Sequence, residues 1–155
     1  MTTVTNESFL KNKVLPLLAN LKADAIPKFG IMTPQHMVEH LAWVTKATIG
    51  RKGEKPAEPA KSHLYFQKFI AGGAKFKHQP KEDAKVGDLK YGSLQEAIEA
   101  VGPAIERFYQ HFEDNPNTLC FNPMMGEMDK DQLEVFHAEH YRWHLYQFGL
   151  LEEYA

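Results

Sequence analysis

The sequence has little of what secreted, membrane-spanning or nucleic-acid-binding proteins need. Its one cysteine, Cys120, excludes an internal disulfide and a cysteine-rich zinc site. No stretch approaches the run of about 20 apolar residues that spans a bilayer, and the first residues lack the pattern of a signal peptide. The net charge is -2, so no basic excess favours a nucleic acid or an anionic membrane as partner. We therefore expect a cytoplasmic protein.

Length and composition predict one folded domain. The 155 residues can bury a full core, and we assign residues 1–155 to a single domain. Hydrophobic residues make up 43% and charged residues 25%, which is typical of globular chains and not of disordered or repetitive ones.

Apolar residues recur at helical spacing in four long segments and one short segment. The predicted helices cover residues 6–21, 33–49, 63–71, 93–113 and 129 to the C-terminus. No segment shows the alternation of a strand, so we predict an all-α fold, an antiparallel four-helix bundle with a short extra helix. The segment from Gly72 to Gly92 is rich in glycine and charge and predicts a long surface connection of unassigned role.

Several residues mark where these helices start or bend. Thr33-Pro34 is typical of a helix start, and Ser93 and Asp129 are each followed three residues later by Glu or Gln, which forms a capping box. Pro16 and Pro103 lie inside apolar periodic segments, where proline removes a backbone hydrogen bond. We expect a kink at Pro16 or a helix start nearer to it, and a bend at Pro103.

The last helix carries histidines on the face where an apolar stripe is expected. At 100° per residue, His140 and His144 fall near the centre of the inward arc, with His137 and Gln147 among the apolar residues beside them. The same construction places Leu133, Phe136, Trp143, Leu151 and Tyr154 inward, and Glu134, Glu139, Arg142, Glu152 and Glu153 outward. Two histidines four residues apart can direct ring nitrogens at one divalent cation, with a third ligand supplied by a facing helix.

The second helix supplies that third candidate. His40 falls centrally among Met37, Trp43, Val44 and Ala47, with His36 one turn earlier, whereas Glu39, Thr45 and Lys46 are predicted to face outward. An unpaired buried imidazole costs on the order of 1–3 kcal/mol, so three central histidines need a partner, and a shared metal ion is one. We predict a metal site at His40, His140 and His144.

The other candidates have simpler interpretations. A single histidine on an apolar face is usually a core residue with one hydrogen-bond partner, which is the favoured reading of His36 and His137 taken one at a time. Three more histidines are predicted to be solvated: His63, His78 and His111. Cys120 is predicted to be a small buried hydrophobe, because no activating base is near it in sequence.

Two segments carry a resemblance to a known family. FGIMTPQHMVEHLAW, residues 29–43, and HAEHYRWHLYQFGL, residues 137–150, resemble the DinB/YfiT-like metalloenzyme superfamily. More narrowly, the chain is similar to an uncharacterised branch with QFGL near the C-terminus. The resemblance implies a four-helix up-down-down-up bundle with a long connection. It also implies metal ligands at His40, His140 and His144, with Gln147 beside them. The double histidine of better-known members is Trp143-His144 here.

The resemblance also implies a class of chemistry. Three histidines leave positions on zinc or nickel open, as in catalytic sites, and better-known relatives transfer low-molecular-weight thiols. We therefore expect a metal-dependent thiol S-transferase or a small-molecule hydrolase, with Gln147, His137 or His36 orienting ligands or substrate. No catalytic general base can be named from the sequence.

Two alternatives stay open beside an enzyme. One is a non-catalytic or stress-associated bundle with a structural metal. The other is a metal-free helical domain that uses aromatic residues as a ligand or dimer surface: Trp43, Trp143, Phe148 and Tyr154. Bundles often dimerise, so a homodimer is also open.

Overall fold

The computed structural model describes residues 5–50, 60–76, 86–122 and 125–152. This part of the chain is mostly helical and has one two-stranded sheet, in agreement with the predicted all-α class. Helix α1 combines three pieces: Asn6–Ser8, the π-helical Phe9–Lys13, and Val14–Leu18. The other elements are α2 (Pro34–Gly50), α3 (Lys61–Ala71), α4 (Leu94–Glu99), α5 (Val101–Asp114), β1 (Cys120–Asn122), β2 (Gly126–Met128) and α6 (Lys130–Gln147).

Proline 16 is accommodated by a widened turn upstream of it. Pro16 has no N–H to donate, and in the preceding π-helical segment the N–H of Val14 reaches the carbonyl of Phe9, five residues back. The helix ends at Leu18 and not at Leu21 as predicted, although Leu21 is still buried, in a turn that follows.

The predicted caps of α2 and α6 are confirmed. Thr33 Oγ1 accepts the backbone N–H of His36 at 3.2 Å, ahead of the proline that opens α2. At α6 the capping box is complete: Asp129 Oδ1 accepts from Gln132 N–H, and Gln132 Oε1 accepts from Asp129 N–H. These two helices carry the predicted metal ligands, so both are well defined at their starts.

The helix predicted over residues 93–113 is two helices. Ser93 Oγ accepts the N–H of Glu96 as expected, but α4 ends at Glu99 and α5 begins at Val101, with Ala100 between them. Pro103 lies in the first turn of α5, where a missing N–H costs little. The predicted bend is therefore a break placed three residues before the proline.

The absence of strands was a wrong prediction for the segment after α5. Strands β1 and β2 form an antiparallel hairpin in which Cys120 pairs with Met128 and Asn122 pairs with Gly126. Gly126 has a φ of +83°, and a Cβ there would lie 3.0 Å from the ring of His63. Glycine therefore permits both the backbone conformation and the close approach of α3.

Helix α6 is covered on several sides. It packs against α1, α2 and α3, while α2 also packs against α4 and α5. The buried apolar core joins residues from these helices and the hairpin. None of the helices that the structure describes is both long enough and apolar enough to cross a membrane.

Three residues differ in exposure from the prediction. Their position around the helix axis does not decide exposure alone, because neighbouring elements also cover or leave open parts of each helix. Glu139 is only 6% exposed, because Lys75 and Arg142 pair with it at 2.9 and 2.7 Å. Thr45 is buried against Tyr141 of α6. Trp43 was predicted inward but is 66% exposed.

Two further predictions about polar residues have mixed outcomes. His63, expected in solvent, is buried against the hairpin, while His111 is partly buried and its Nε2 lies 3.6 Å from Cys120 Sγ. Cys120 is buried as predicted, and burial raises the pKa of its thiol. His78, Glu153 and Tyr154 lie outside the described residues, as do residues 77–85 of the predicted surface connection.

Candidate metal centre

The histidines at positions 40, 140 and 144 meet where α2 lies against α6. One ring nitrogen from each lies within 4.8 Å of the others. The ring centroids are 4.9 Å apart for His40 and His140, 5.1 Å for His40 and His144, and 4.8 Å for His140 and His144. The structure thus brings the three predicted ligands into one cluster, each ring edge-on to the others.

The closest approach within the cluster joins two ring nitrogens. Nε2 of His40 lies 3.0 Å from Nε2 of His140. Two lone pairs cannot face each other at this distance without repulsion, so the two nitrogens share either a hydrogen or a cation. Two nitrogens bound to one zinc ion at about 2.0–2.1 Å lie about 3.3 Å apart in a tetrahedral site, close to the observed separation.

Glutamine 147 fixes the third ring. Its Nε2 donates to the carbonyl of Phe29 at 2.9 Å, which leaves its Oε1 to accept from Nδ1 of His144 at 2.7 Å. His144 therefore carries its hydrogen on Nδ1 and has a lone pair on Nε2, the tautomer that a metal ligand needs. Gln147 is itself buried, so this arrangement is held inside the fold.

The approach of Gln147 depends on the segment before α2. Gly30 has a φ of +83°, and a Cβ at this position would come within 2.9 Å of Gln147 Nε2. The backbone N–H of Lys28 also donates to the carbonyl of Gln147 at 2.7 Å. Gly149, with a φ of +75°, ends α6 directly afterwards, and Leu150 N–H returns to the carbonyl of Leu145. The QFGL motif is therefore a helix terminus that also orients a histidine.

Burial keeps the three rings neutral. Burial lowers the pKa of His40, and burial with the neighbouring histidines holds the pKa of His140 well below its ordinary value. Burial and the proximity of His40 lower the pKa of His144 to about 4, against the opposite effect of the hydrogen bond to Gln147. Neutral imidazole is the form that binds metal ions, so the cluster is ready to bind one at neutral pH.

The cluster is bordered by apolar rings on one side and by a cavity on the other. His140 lies beside the rings of Phe76 and Phe136, with centroids 5.3 and 5.4 Å away, and its Nδ1 is buried without a hydrogen-bond partner among the described residues. His40 is partly exposed and borders a cavity of about 470 Å³. A molecule in that cavity would reach the cluster at His40.

The two secondary candidates lie outside the cluster. His137 is fully buried one turn before His140, with Nε2 2.8 Å from Thr48 Oγ1, and burial lowers its pKa to about 3. His36 lies in the cavity wall, where Nδ1 accepts from Thr33 Oγ1 at 2.6 Å and Nε2 donates to the carbonyl of Gly87 at 2.9 Å. Both rings have structural partners.

Several residues of the site were missed by sequence reasoning. Phe76 follows two glycines in a segment interpreted as a surface connection, and no pattern there indicates a ring against His140. Gly30 and the carbonyl of Phe29 act through backbone geometry, which composition does not reveal. Glu39 was predicted to face outward. Sequence reasoning did not predict that its carboxylate accepts the backbone N–H groups of Lys90 and Tyr91.

Those hydrogen bonds decide the state of Glu39. Burial acts to raise the pKa of its carboxyl group, but the bonds from Lys90, Gln35 and Tyr91 outweigh burial and the pKa is lowered. Glu39 is therefore an ionised structural acceptor beside His40, with both oxygens occupied, and is poorly suited to take a proton from a substrate.

Comparison of the chain with protein-family models, with curated proteins and with solved structures finds no match.

Proposed function

We propose that this protein binds one divalent metal ion, zinc or nickel, through His40, His140 and His144, and that the ion makes it a metal-dependent thiol S-transferase or small-molecule hydrolase. The observation that carries the proposal is the convergence of three neutral imidazoles from two helices, one of them oriented by Gln147. The separation of 3.0 Å between two Nε2 atoms fits a shared cation.

The helical arrangement supports the DinB-like part of the proposal. Helices α1, α2, α5 and α6 pack around the core, and the short α3 and the hairpin lie beside them. In a DinB-like bundle the ligands come from the second and the last long helix, which here carry the three clustered histidines. We propose this family on the motifs in residues 29–43 and 137–150, together with that packing.

The residues around the cluster would have different roles in a reaction. When bound, zinc or nickel lowers the pKa of a coordinated thiol or water and so supplies a nucleophile at neutral pH. Phe76 and Phe136 keep water from the inner side of His140, and Gln147 holds the orientation of His144. A small electrophile would enter through the cavity at His40, with a low-molecular-weight thiol as the second substrate.

Metal content tests the proposal directly. We expect about one equivalent of metal in the purified protein or after reconstitution with zinc or nickel, and none in His140→Ala and His144→Ala. His111→Ala, which changes a histidine outside the cluster, should bind as the parent does. Helical content measured by circular dichroism should persist in all variants. A parent that binds neither metal would refute the proposal and leave a helical domain with core histidines.

Turnover separates catalysis from storage of a metal. We expect metal-loaded protein to conjugate a low-molecular-weight thiol to an electrophile, or to hydrolyse a small ester, and to lose this activity on chelation while its helical content persists. Binding of one equivalent without turnover in a broad screen would favour the alternative, a non-catalytic metal-binding module.

A further inference from the structure

One side of α2 forms a wall of the cavity beside His40. His36, His40, Trp43 and Lys46 follow one another at spacings of three and four residues, which places them along one helix face. Residues 31–32, 86–88 and 90–91 contribute the other walls. The volume of about 470 Å³ falls within the range of small-molecule sites, about 300–1,000 Å³.

The wall opposite α2 is tied to the helix. The carbonyl of Gly87 accepts from His36 Nε2 at 2.9 Å, and the N–H groups of Lys90 and Tyr91 donate to Glu39 at 2.6 and 3.1 Å. These bonds attach both ends of the 87–91 segment to α2. The chain's own hydrogen bonds therefore hold this wall of the cavity in place.

The cavity is lined by large apolar groups, two of which are exposed. Trp43 is 66% exposed and Ile31 is 52% exposed, and Met32 and Tyr91 also line the space. An exposed indole at a cavity is suited to stacking with a flat ring, with centroids 4.5–7 Å apart in such pairs. The lining therefore favours an aromatic ligand over a polar one.

The charged groups of the lining are not equivalent. Glu39 has both carboxylate oxygens occupied by N–H donors. Lys90 and Asp88 are both exposed, and their charges offset each other. Lys46 is partly buried and has no ion pair or hydrogen bond with any described residue. Among the residues that the structure describes, it is a cation without a paired counterion, and it lies on the same helix face as Trp43.

We propose that this cavity binds an aromatic small molecule that carries one anionic group, with the ring on Trp43 and the anion at Lys46. Lys46 lies six residues from His40, about 9 Å along the helix axis, so a ligand of two fused rings and a carboxylate spans the distance. The proposal names a substrate class for the proposed metal site. That such a molecule is a substrate rests on the proposed function. The binding itself needs the cavity residues alone.

Binding of 2-naphthylacetate, compared with its uncharged analogue 2-naphthylacetamide, tests the proposal by calorimetry on chelated and on metal-loaded protein. We expect saturable binding of one carboxylate per chain in both forms. Lys46→Gln should weaken the carboxylate about fivefold and leave the amide unchanged, as expected for a partly exposed ion pair. Lys68→Gln, at an exposed lysine of α3 outside the cavity, is the matched control. Trp43→Leu should weaken both probes.

The two tryptophan indole N–H signals in NMR spectra locate the probe. Trp43→Phe assigns them, and the Trp43 signal should shift more on titration than that of Trp143. Absence of saturable binding in both forms of the protein would overturn the proposal, as would equal effects of Lys46→Gln and Lys68→Gln. Equal affinity for acid and amide would also overturn it. Binding of the naphthyl probe without binding of metal would refute the proposed function and leave this inference standing. Binding of metal without binding of the probe would refute this inference and leave the proposed function standing.

Discussion

Two buried histidines one turn apart on α6 have opposite surroundings. His137 and His140 both lie inside the protein, and Nδ1 of each has no hydrogen-bond partner among the described residues. The Nε2 atom of His137 meets the hydroxyl of Thr48, whereas that of His140 meets another imidazole. Burial alone therefore does not identify a metal ligand. The partner of the second nitrogen distinguishes the two residues, because the hydroxyl of Thr48 completes the contacts of His137 Nε2, whereas the Nε2 atoms of His140 and His40 must share a hydrogen or a cation.

Exchange of each histidine for alanine should separate their roles most clearly. His137→Ala removes a ring packed on Phe108 and leaves a cavity, so we expect the free energy of unfolding to fall by about 2–4 kcal/mol with metal binding retained. His140→Ala should abolish metal binding. Urea denaturation of the chelated proteins and metal analysis of the loaded ones check this pair. Loss of metal from a folded His137→Ala would contradict the assignment.

Removal of the metal should destabilise only proteins with an intact cluster. Because the ion binds the folded chain, loading at 100 times the dissociation constant should add about 2.7 kcal/mol to the free energy of unfolding. Chelation should reverse this gain in the parent and in His137→Ala. Urea curves of His140→Ala should coincide with and without metal, and a matching gain in that variant would point to a different binding site.

Acid should destabilise the metal-free protein. The pKa of His137 is about 3 and that of His144 about 4 in the fold, against an ordinary value of 6.5, so the unfolded chain takes up protons first as the pH falls. Stability present above pH 6.5 is lost as the pH falls toward 4, by up to about 1.4 kcal/mol per pH unit for each histidine. Urea titrations at pH 7, 6 and 5 measure the slope. In His137→Ala the free energy of unfolding should change less steeply with pH, by the equivalent of one proton taken up on unfolding. A free energy of unfolding that does not change with pH in the parent would be inconsistent with buried neutral rings.

Loss of the Gln147 side chain should weaken the site without abolishing it. Gln147→Leu removes the acceptor at His144 Nδ1, and we expect metal affinity to fall about tenfold, as for other groups that orient a ligand. Gln147→Glu keeps an acceptor and should lose less. Gly30→Ala, which crowds Gln147 Nε2, should have a smaller effect of the same sign. Competition with a chromogenic chelator measures all three, and unchanged affinity in Gln147→Leu would remove Gln147 from the site.

The sequence predicted the meeting of the three histidines because helical geometry fixes it. Once α2 and α6 are recognised as helices with strong caps, His40, His140 and His144 must lie on the stripes that face the core. Their convergence is confirmed by the structure, and their role as metal ligands stays a prediction. The short α3, and the stop that follows it at Gly72, were predicted in the same way.

Exposure and irregular backbone were less predictable. Thr45 and Glu139 were placed outward because each was considered on its own helix, but α6 lies over Thr45 and Lys75 reaches Glu139. The hairpin was missed because its two strands have three residues each, too few to show a period. Bonds such as that from Gln147 to Phe29 join residues far apart in sequence through a backbone carbonyl, which every residue type offers.

The bond between Gln147 and Phe29 also has a consequence for how the protein is made. His40 leaves the ribosome about a hundred residues before His140, and the backbone carbonyl that holds Gln147 leaves earlier still. A growing chain therefore carries one of the three histidines of the cluster while about a hundred further residues are added, and it gains the other two only with the last turns of α6. Capture of a metal ion by this cluster would thus report that α6 has been completed and has docked against α2.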